Sequence, residues 1–326
     1  MHVLVSGAFG NIGQAALESL LHHGHHLTAF DTPTRRNRHA ARRFRGRVRV
    51  CWGDIRDPQA VARAVAGQDA VVHLAFVIPN LSATGKGSEE APDWAWAVNV
   101  GGTRNLIAAM EAQPRPPRLV FTSSLHIYGR TQHLPPPRRV DDPPNPAEHY
   151  SRHKAAAEAL VKGSTLKWVI FRLAAALPVT LILDPGMFDV PLNNRIEFVH
   201  REDVAIAIAH AVTSEAVWGK VLHIGGGPRC QHLYHEVAER ILVTVGVGML
   251  PEEAFSRTPY PVDWLDTEES ERLLRYQQRT LDDYLADLRR ALGWRRGLVR
   301  AFRPFVRWLL LRRSPYLDRA TAWRLA

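Results

Sequence analysis

His2-Val-Leu-Val-Ser-Gly7-Ala-Phe-Gly10-Asn-Ile-Gly13 opens the chain with an apolar run, a glycine turn and the start of a helix-period segment. The run predicts a buried strand over His2–Ser6, and the periodicity predicts a helix over Asn11–His22. A glycine turn between the two suits a bound pyrophosphate. The turn needs residues free of Cβ, the phosphates must come close to the backbone, and the helix N-terminus offers N–H donors and a favourable dipole. The spacing GxxGxxG makes Gly7, Gly10 and Gly13, with Phe9, Asn11 and Ile12 among them, candidate dinucleotide-binding residues. The bland alternative, a strand–turn–helix with tolerated glycines, loses weight because the second predicted strand, Leu27–Asp31, ends in an acid.

Asp31 can accept hydrogen bonds from the adenosine ribose hydroxyls and would repel a 2′-phosphate, so NAD is expected and NADP disfavoured. Arg35 and Arg36 stand close enough in sequence to reach a 2′-phosphate and pull the other way. Asp54 and Ile55, closing the third strand, are placed to contact the adenine, unless Asp54 is the N-cap of the helix ahead of Pro58. Further runs at Val48–Trp52, Ala70–Leu74, Leu119–Thr122 and Trp168–Leu173 read as strands. Gln59–Ala66, Trp94–Ala112 and His149–Lys162 read as helices between them. Such alternation predicts an α/β fold, a Rossmann-type doubly wound parallel sheet with ligands at the carboxyl ends of its strands. The proline-rich stretch from Leu134 to Pro146 must be a loop, expected to lie over the cofactor cleft.

Tyr150-Ser-Arg-His-Lys154 places a phenol and an ammonium four positions apart on one helix face. Lys154 beside Tyr150 would favour the phenolate and make it a base. The chain has only five lysines among 42 basic residues, so a lysine at this place carries information. Behind a glycine turn and Thr122-Ser123-Ser124, the pair is a specific signal.

At 326 residues, 46% hydrophobic and 23% charged, the composition is that of an ordinary globular chain. A strand-like run at the very start argues against a signal peptide, and no apolar run is long enough to span a bilayer. Cys51 and Cys230, far apart and outside any CxxC pattern, argue against a disulfide framework and a zinc site, so the cytoplasm is the expected compartment. The formal charge of +10 is concentrated in two arginine clusters, Arg35–Arg47 and Arg295–Arg313, without the fold signature of a base reader, and nucleic acid is not an expected partner. His22, His23, His25 and His26 read as a solvated turn rather than a metal site. Trp94 and Trp96, behind a Ser82–Glu90 stretch expected to be flexible, could cover substrate or pack a helix start. Leu298, Phe302, Phe305 and Leu309 form an apolar stripe opposite Arg296, Arg300, Arg303 and Arg307. A membrane surface could receive it, but packing on the domain or on a second subunit is favoured.

In sum of motifs the chain resembles the extended short-chain dehydrogenase/reductase group, the NAD-dependent epimerase/dehydratase family. The matching residues run over about 1–230 in family order: the glycine turn, Asp31, Gly53-Asp-Ile55, His73-Leu-Ala75, Asn99-Val-Gly-Gly-Thr103, Thr122-Ser-Ser124 with Ile127-Tyr-Gly129, Tyr150 to Lys154, Phe198-Val-His200 with Asp203-Val204, and Leu222-His-Ile-Gly-Gly226. The resemblance implies catalytic Ser124, Tyr150 and Lys154. Tyr150 would be the general acid/base, its pKa lowered by Lys154 and the oxidised nicotinamide; Ser124 would bind the reacting oxygen, and Lys154 would also hold the nicotinamide ribose. Leu74, Ala75 and Asn99 join the implied cofactor site, Asn99 also reading as a helix asparagine satisfied by backbone. Family dehydratases carry an acidic pair where this chain has Leu125-His126, so dehydration is not expected. The short interval from Arg172 to Phe198 argues against a large nucleotide-sugar lobe. The expectation is hydride transfer between nicotinamide and a secondary alcohol or ketone of a small or sugar-like substrate. A nucleotide-sugar epimerase is the alternative, and a non-catalytic dinucleotide sensor the second. Residues 1–172 would form the cofactor core and 173–290 a smaller C-terminal substrate lobe, with 198–227 returning to the core and 291–326 forming a basic helical tail. A homodimer is the expected assembly.

Overall fold

A computed structural model describes residues 1–79, 85–180 and 185–318. Residues 82–84 of the stretch expected to be flexible and the end of the tail lie outside the described residues. Seven strands form one parallel sheet: β1 (His2–Ser6), β2 (His26–Asp31), β3 (Arg49–Trp52), β4 (Ala70–His73), β5 (Arg118–Ser124), β6 (Trp168–Leu173) and, after the short β7 (Arg195–Glu197), β8 (Val221–Ile224). Their order is β3-β2-β1-β4-β5-β6-β8, with β7 paired antiparallel to β9 (Gln231–Leu233) in a separate ribbon. The direction of winding reverses between β1 and β4, so a cleft opens at their carboxyl ends, where Gly7 and Leu74 follow.

Apart from the edge strand β3, the strands are buried along nearly their whole length, β1 from Val3 and β4 throughout, because helices cover both faces. One face holds the Asn11–His22 and Arg201–Thr213 helices, packed closely on each other. The other holds Pro58–Val65, Gly102–Glu111 and His149–Lys162. The apolar core of the first face runs on without a break into the Tyr234–Val245 and Leu281–Leu292 helices of the C-terminal lobe.

Several expectations change in the structure. The long helix expected over Trp94–Ala112 is three pieces: Pro92–Trp96, a π-helical turn at Ala97–Gly101 and Gly102–Glu111. The arginine cluster after Asp31 contains a short helix, Arg35–Ala41, capped by Thr34. Asp54 is not the cap of the helix at Pro58; Asp57 accepts from the Gln59 N–H there, and Asp54 is gripped by the Arg56 guanidinium at 2.6 Å. The proline-rich loop is fastened to the segment around Asp263 and Trp264. Arg138 donates its N–H to the Trp264 carbonyl at 2.7 Å, and its guanidinium lies 3.2 Å from Asp142 and 3.6 Å from Asp263. Of the four histidines expected to be solvated, His25 is buried.

The tail reverses its expected polarity. Leu298, Phe302 and Phe305 of the predicted apolar stripe are exposed, while Leu310 and Leu311 are buried in the core. Arg296 and Arg303 donate to the carbonyls of Thr244 and Val247, and Arg307 donates to Met249 at 2.7 Å. These carbonyls lie at and just beyond the C-terminus of the Tyr234–Val245 helix, where orphan acceptors and the negative dipole end attract cations.

Candidate active site

The glycine turn is built by three different constraints. Gly7 has φ +66°, and a Cβ there would meet the Ala75 backbone nitrogen at 2.7 Å. Gly10 precedes the helix with only the Gly7 carbonyl nearby, which leaves its outer side open to a ligand. A Cβ on Gly13 would run into the Gly7 carbonyl, so the helix can sit against the turn only with glycine there. Phe9, Asn11 and Ile12 complete the loop: Phe9 is buried, and the Asn11 side chain donates to the Ala176 carbonyl at 3.2 Å, tying the turn to the end of β6.

Asp31 is held at the rim of this cradle. Its carboxylate accepts from Phe9 N–H at 2.9 Å, Thr32 N–H at 2.8 Å and the Asn37 amide at 2.9 Å. Burial nevertheless raises its pKa, against the pull of those donors. Arg35 and Arg36 are exposed. Ile55 is buried against Gly102, while Leu74 and Ala75 stand at the floor, their N–H groups directed to Ser6 Oγ.

Below that floor, His73 bridges Ser6 Oγ (2.8 Å) and Thr103 Oγ1 (2.9 Å). Burial, with the charge of Lys154, drives its pKa down to about 3, so it is a neutral structural bridge. Asn99 lies in the π-helical turn, fully buried. Its amide accepts from Val77 N–H at 2.6 Å, donates to the Val77 carbonyl at 3.0 Å and lies 3.2 Å from His153 Nδ1. It pins the loop following β4, and its own amide is taken up by backbone.

Ser124 ends β5 and Tyr150 and Lys154 lie one turn apart on the His149–Lys162 helix. Ser124 stands near enough to the Tyr150 phenol to pull its pKa down. Lys154 Nζ donates to the Thr122 carbonyl at 2.6 Å and rests 3.5 Å above the Phe76 ring centroid. Here the expected lowering of the Tyr150 pKa by Lys154 fails. Burial, helped by the charge of Glu148, pushes the phenol up to about 12, outweighing the opposite pull of Ser124. Lys154 is itself brought down to about 7 by burial, with Glu158 holding against it, and its ammonium is directed at a carbonyl rather than at the phenol.

Sequence reasoning missed the residues that frame Tyr150. Glu89 accepts from the His149 and Tyr150 N–H groups at 3.1 and 2.8 Å, placing a carboxylate on the helix N-terminus. His126 presents its ring edge-on to Tyr150 at 5.7 Å and pairs through Nδ1 with Glu148 at 3.0 Å. Glu158, one turn beyond Lys154, makes a buried ion pair with Arg172 at 2.8 Å, and Arg172 donates to the Tyr128 hydroxyl at 2.7 Å. Tyr128 in turn contacts His223 Nε2 at 2.6 Å. Position next to Ser124 was the only sequence signal for His126, and nothing local pointed to Glu89. Of the two tryptophans, Trp96 is exposed and lies edge-on to His153 at 5.2 Å.

A turn of this shape before a parallel-sheet switch, with Ser, Tyr and Lys beside it, agrees with a family model matching residues 3–177, that of the NAD dependent epimerase/dehydratase family. The chain belongs to this family. A 2-alkyl-3-oxoalkanoate reductase from Stenotrophomonas maltophilia is 34% identical over 286 residues, covering 80% of this chain and 81% of that protein. An uncharacterised protein from Sinorhizobium fredii is 29% identical over 220 residues, covering 63% of this chain, which spans only 51% of that relative's length. Among solved structures, UDP-glucuronic acid 4-epimerase from Bacillus cereus, in complex with UDP-glucuronic acid and NAD, has a similar fold, with a TM-score of 0.74 at 19% identity over 90% of this chain and 99% of that one.

Proposed function

We propose that the chain interconverts a secondary alcohol and a ketone by NAD-dependent hydride transfer, with Tyr150 moving the proton. The observation that carries this reading is the meeting of Ser124, Tyr150 and Lys154 beside a glycine cradle at the sheet's switch point. The residues fit NAD. The open side of Gly10 and the N–H groups of the helix start would hold the pyrophosphate, Asp31 the adenosine ribose, Asp54 and Ile55 the adenine, and Lys154 the nicotinamide ribose. Leu74 and Ala75 form the floor, and Asn99 acts through the loop it pins. When bound, the nicotinamide supplies or accepts the hydride.

In the reducing direction Tyr150, protonated up to about 12 in this structure, gives its proton to the substrate oxygen. Ser124 donates a hydrogen bond to the same oxygen. In the oxidising direction Tyr150 must first lose that proton. Residues 1–172 form the cofactor half in this reading and 173–290 the substrate lobe.

The Bacillus cereus structure favours a second reading, an epimerase acting on a sugar nucleotide, in which the same residues serve both directions and the cofactor is never released. The Stenotrophomonas relative supports net reduction. Retention of cofactor distinguishes them: an epimerase keeps NAD through purification and forms no net NADH, whereas a dehydrogenase exchanges it. Tyr150→Phe should abolish turnover and leave NAD binding nearly intact. Wild-type turnover in that variant would overturn the mechanism.

A further inference from the structure

We infer that the cavity lined by His126, the ring neighbour of Tyr150, and by the helices that follow β9 is an alkyl-binding site, so that the substrate carries a hydrocarbon chain rather than a nucleoside diphosphate; this rests on the hydride-transfer reading above. The cavity has a volume of about 300 Å³. It begins at His126, whose ring meets Tyr150, and Leu310 of the tail helix Arg303–Leu311 is part of its wall. Between them the walls are aliphatic, from Ile196, Val237, Leu242, Val262 and Leu288.

Two tyrosines of its wall have their hydroxyls engaged by backbone carbonyls. Tyr234 donates its hydroxyl to the Met187 carbonyl at 2.8 Å, and Tyr284 donates to Pro178 at 3.3 Å, so both present ring carbon inward. His126 is paired with Glu148. Among the described lining residues there is no lysine, arginine, aspartate or glutamate. A diphosphate in such a space would lose its hydration with no cation to replace it. Arg195 and Arg138, in the neighbouring proline-rich clamp, both face the buried Asp263 carboxylate. A methylene chain, by contrast, gains from every group it removes from water.

In the reaction the carbonyl carbon gains the hydride of NADH, which is oxidised to NAD, and the carbonyl oxygen takes the Tyr150 proton. Methyl ketones of four to ten carbons, assayed with NADH, test the assignment. The expected result is a kcat/KM that rises about threefold per added methylene until the cavity is full. Ala238→Phe, which narrows the cavity away from Tyr150, should cut the series short, and Leu310→Ala should extend it to longer chains. Binding is read apart from turnover by calorimetric titration of Tyr150→Phe with the same series of ketones. Chain-length-dependent binding there, with no turnover of any ketone by the wild type, would sustain the alkyl site and sink the hydride-transfer reading. Turnover of a UDP-hexose with no binding of any ketone would overturn the alkyl site and leave hydride transfer standing. A flat series, indifferent to both cavity variants, would likewise overturn it.

Discussion

Lys154 is the residue on which chemistry and stability pull in opposite directions. Burial lowers its pKa to about 7 in the folded chain from an ordinary value near 10.5. Between those values the unfolded chain binds a proton that the folded chain does not, so this group lowers stability as pH falls from about 10.5 to about 7, with no further loss below. Lys154→Met should therefore raise the stability measured by urea unfolding at pH 7 by about 1–3 kcal/mol while abolishing turnover. An unchanged or lower urea midpoint would contradict that account. Tyr150, raised to about 12, implies that alcohol oxidation accelerates with pH through the neutral and alkaline range, while ketone reduction stays flat. Opposite slopes in the two directions, read from pH profiles of kcat/KM, are the expected outcome. At the other end of the cofactor site, Asp31→Ala should narrow the preference for NAD(H) over NADP(H) seen in thermal shifts. Equal stabilisation of the wild-type chain by NADPH would reverse that assignment.

The helix His149–Lys162 joins the catalytic face to a buried ion pair one turn further on, where Glu158 meets Arg172 of β6. Breaking such a pair leaves a buried charge, so Arg172→Met should cost about 3–5 kcal/mol in urea unfolding, and Arg172→Met with Glu158→Leu should recover part of it. A double variant less stable than the single one would show that the pair does more than neutralise itself. Strands β1 to β6 of the sheet and the helix limits Asn11–His22 and His149–Lys162 were legible in sequence because covered strands are short apolar runs and their helices keep a clear period. Arg35–Ala41 was not, since seven residues dominated by arginine carry no apolar period and the Thr34 cap is a single hydrogen bond. The π-helical turn around Asn99 was hidden for another reason: its amide answers to Val77, a partner set by tertiary structure. In the site, Ser124, Tyr150 and Lys154 could be read from spacing, whereas Glu89 and the cavity walls, gathered from His126 to Leu310, have no local signature.

Over the whole molecule the tail behaves as a structural part of the second lobe. Arg296 and Arg303 cap the Tyr234–Val245 helix, and Leu310 and Leu311 enter the core. Deleting residues from Arg295 onward should lower the melting temperature by about 5 °C or more and increase binding of an apolar dye. Unaltered melting, together with salt-sensitive flotation of the intact chain on anionic vesicles, would assign the tail to a lipid surface instead. Among the described helices none is long and apolar enough to cross a membrane.

The place of Leu310 in the cavity wall has a consequence for biosynthesis. The glycine turn, Asp31 and the Ser, Tyr and Lys residues all leave the ribosome well before the Arg303–Leu311 helix is translated. A nascent chain at that stage has the elements of its dinucleotide cradle but exposes an unsealed aliphatic trough. That interval is when aggregation or capture by a chaperone would compete with folding, and slower translation ahead of Arg303 would lengthen it.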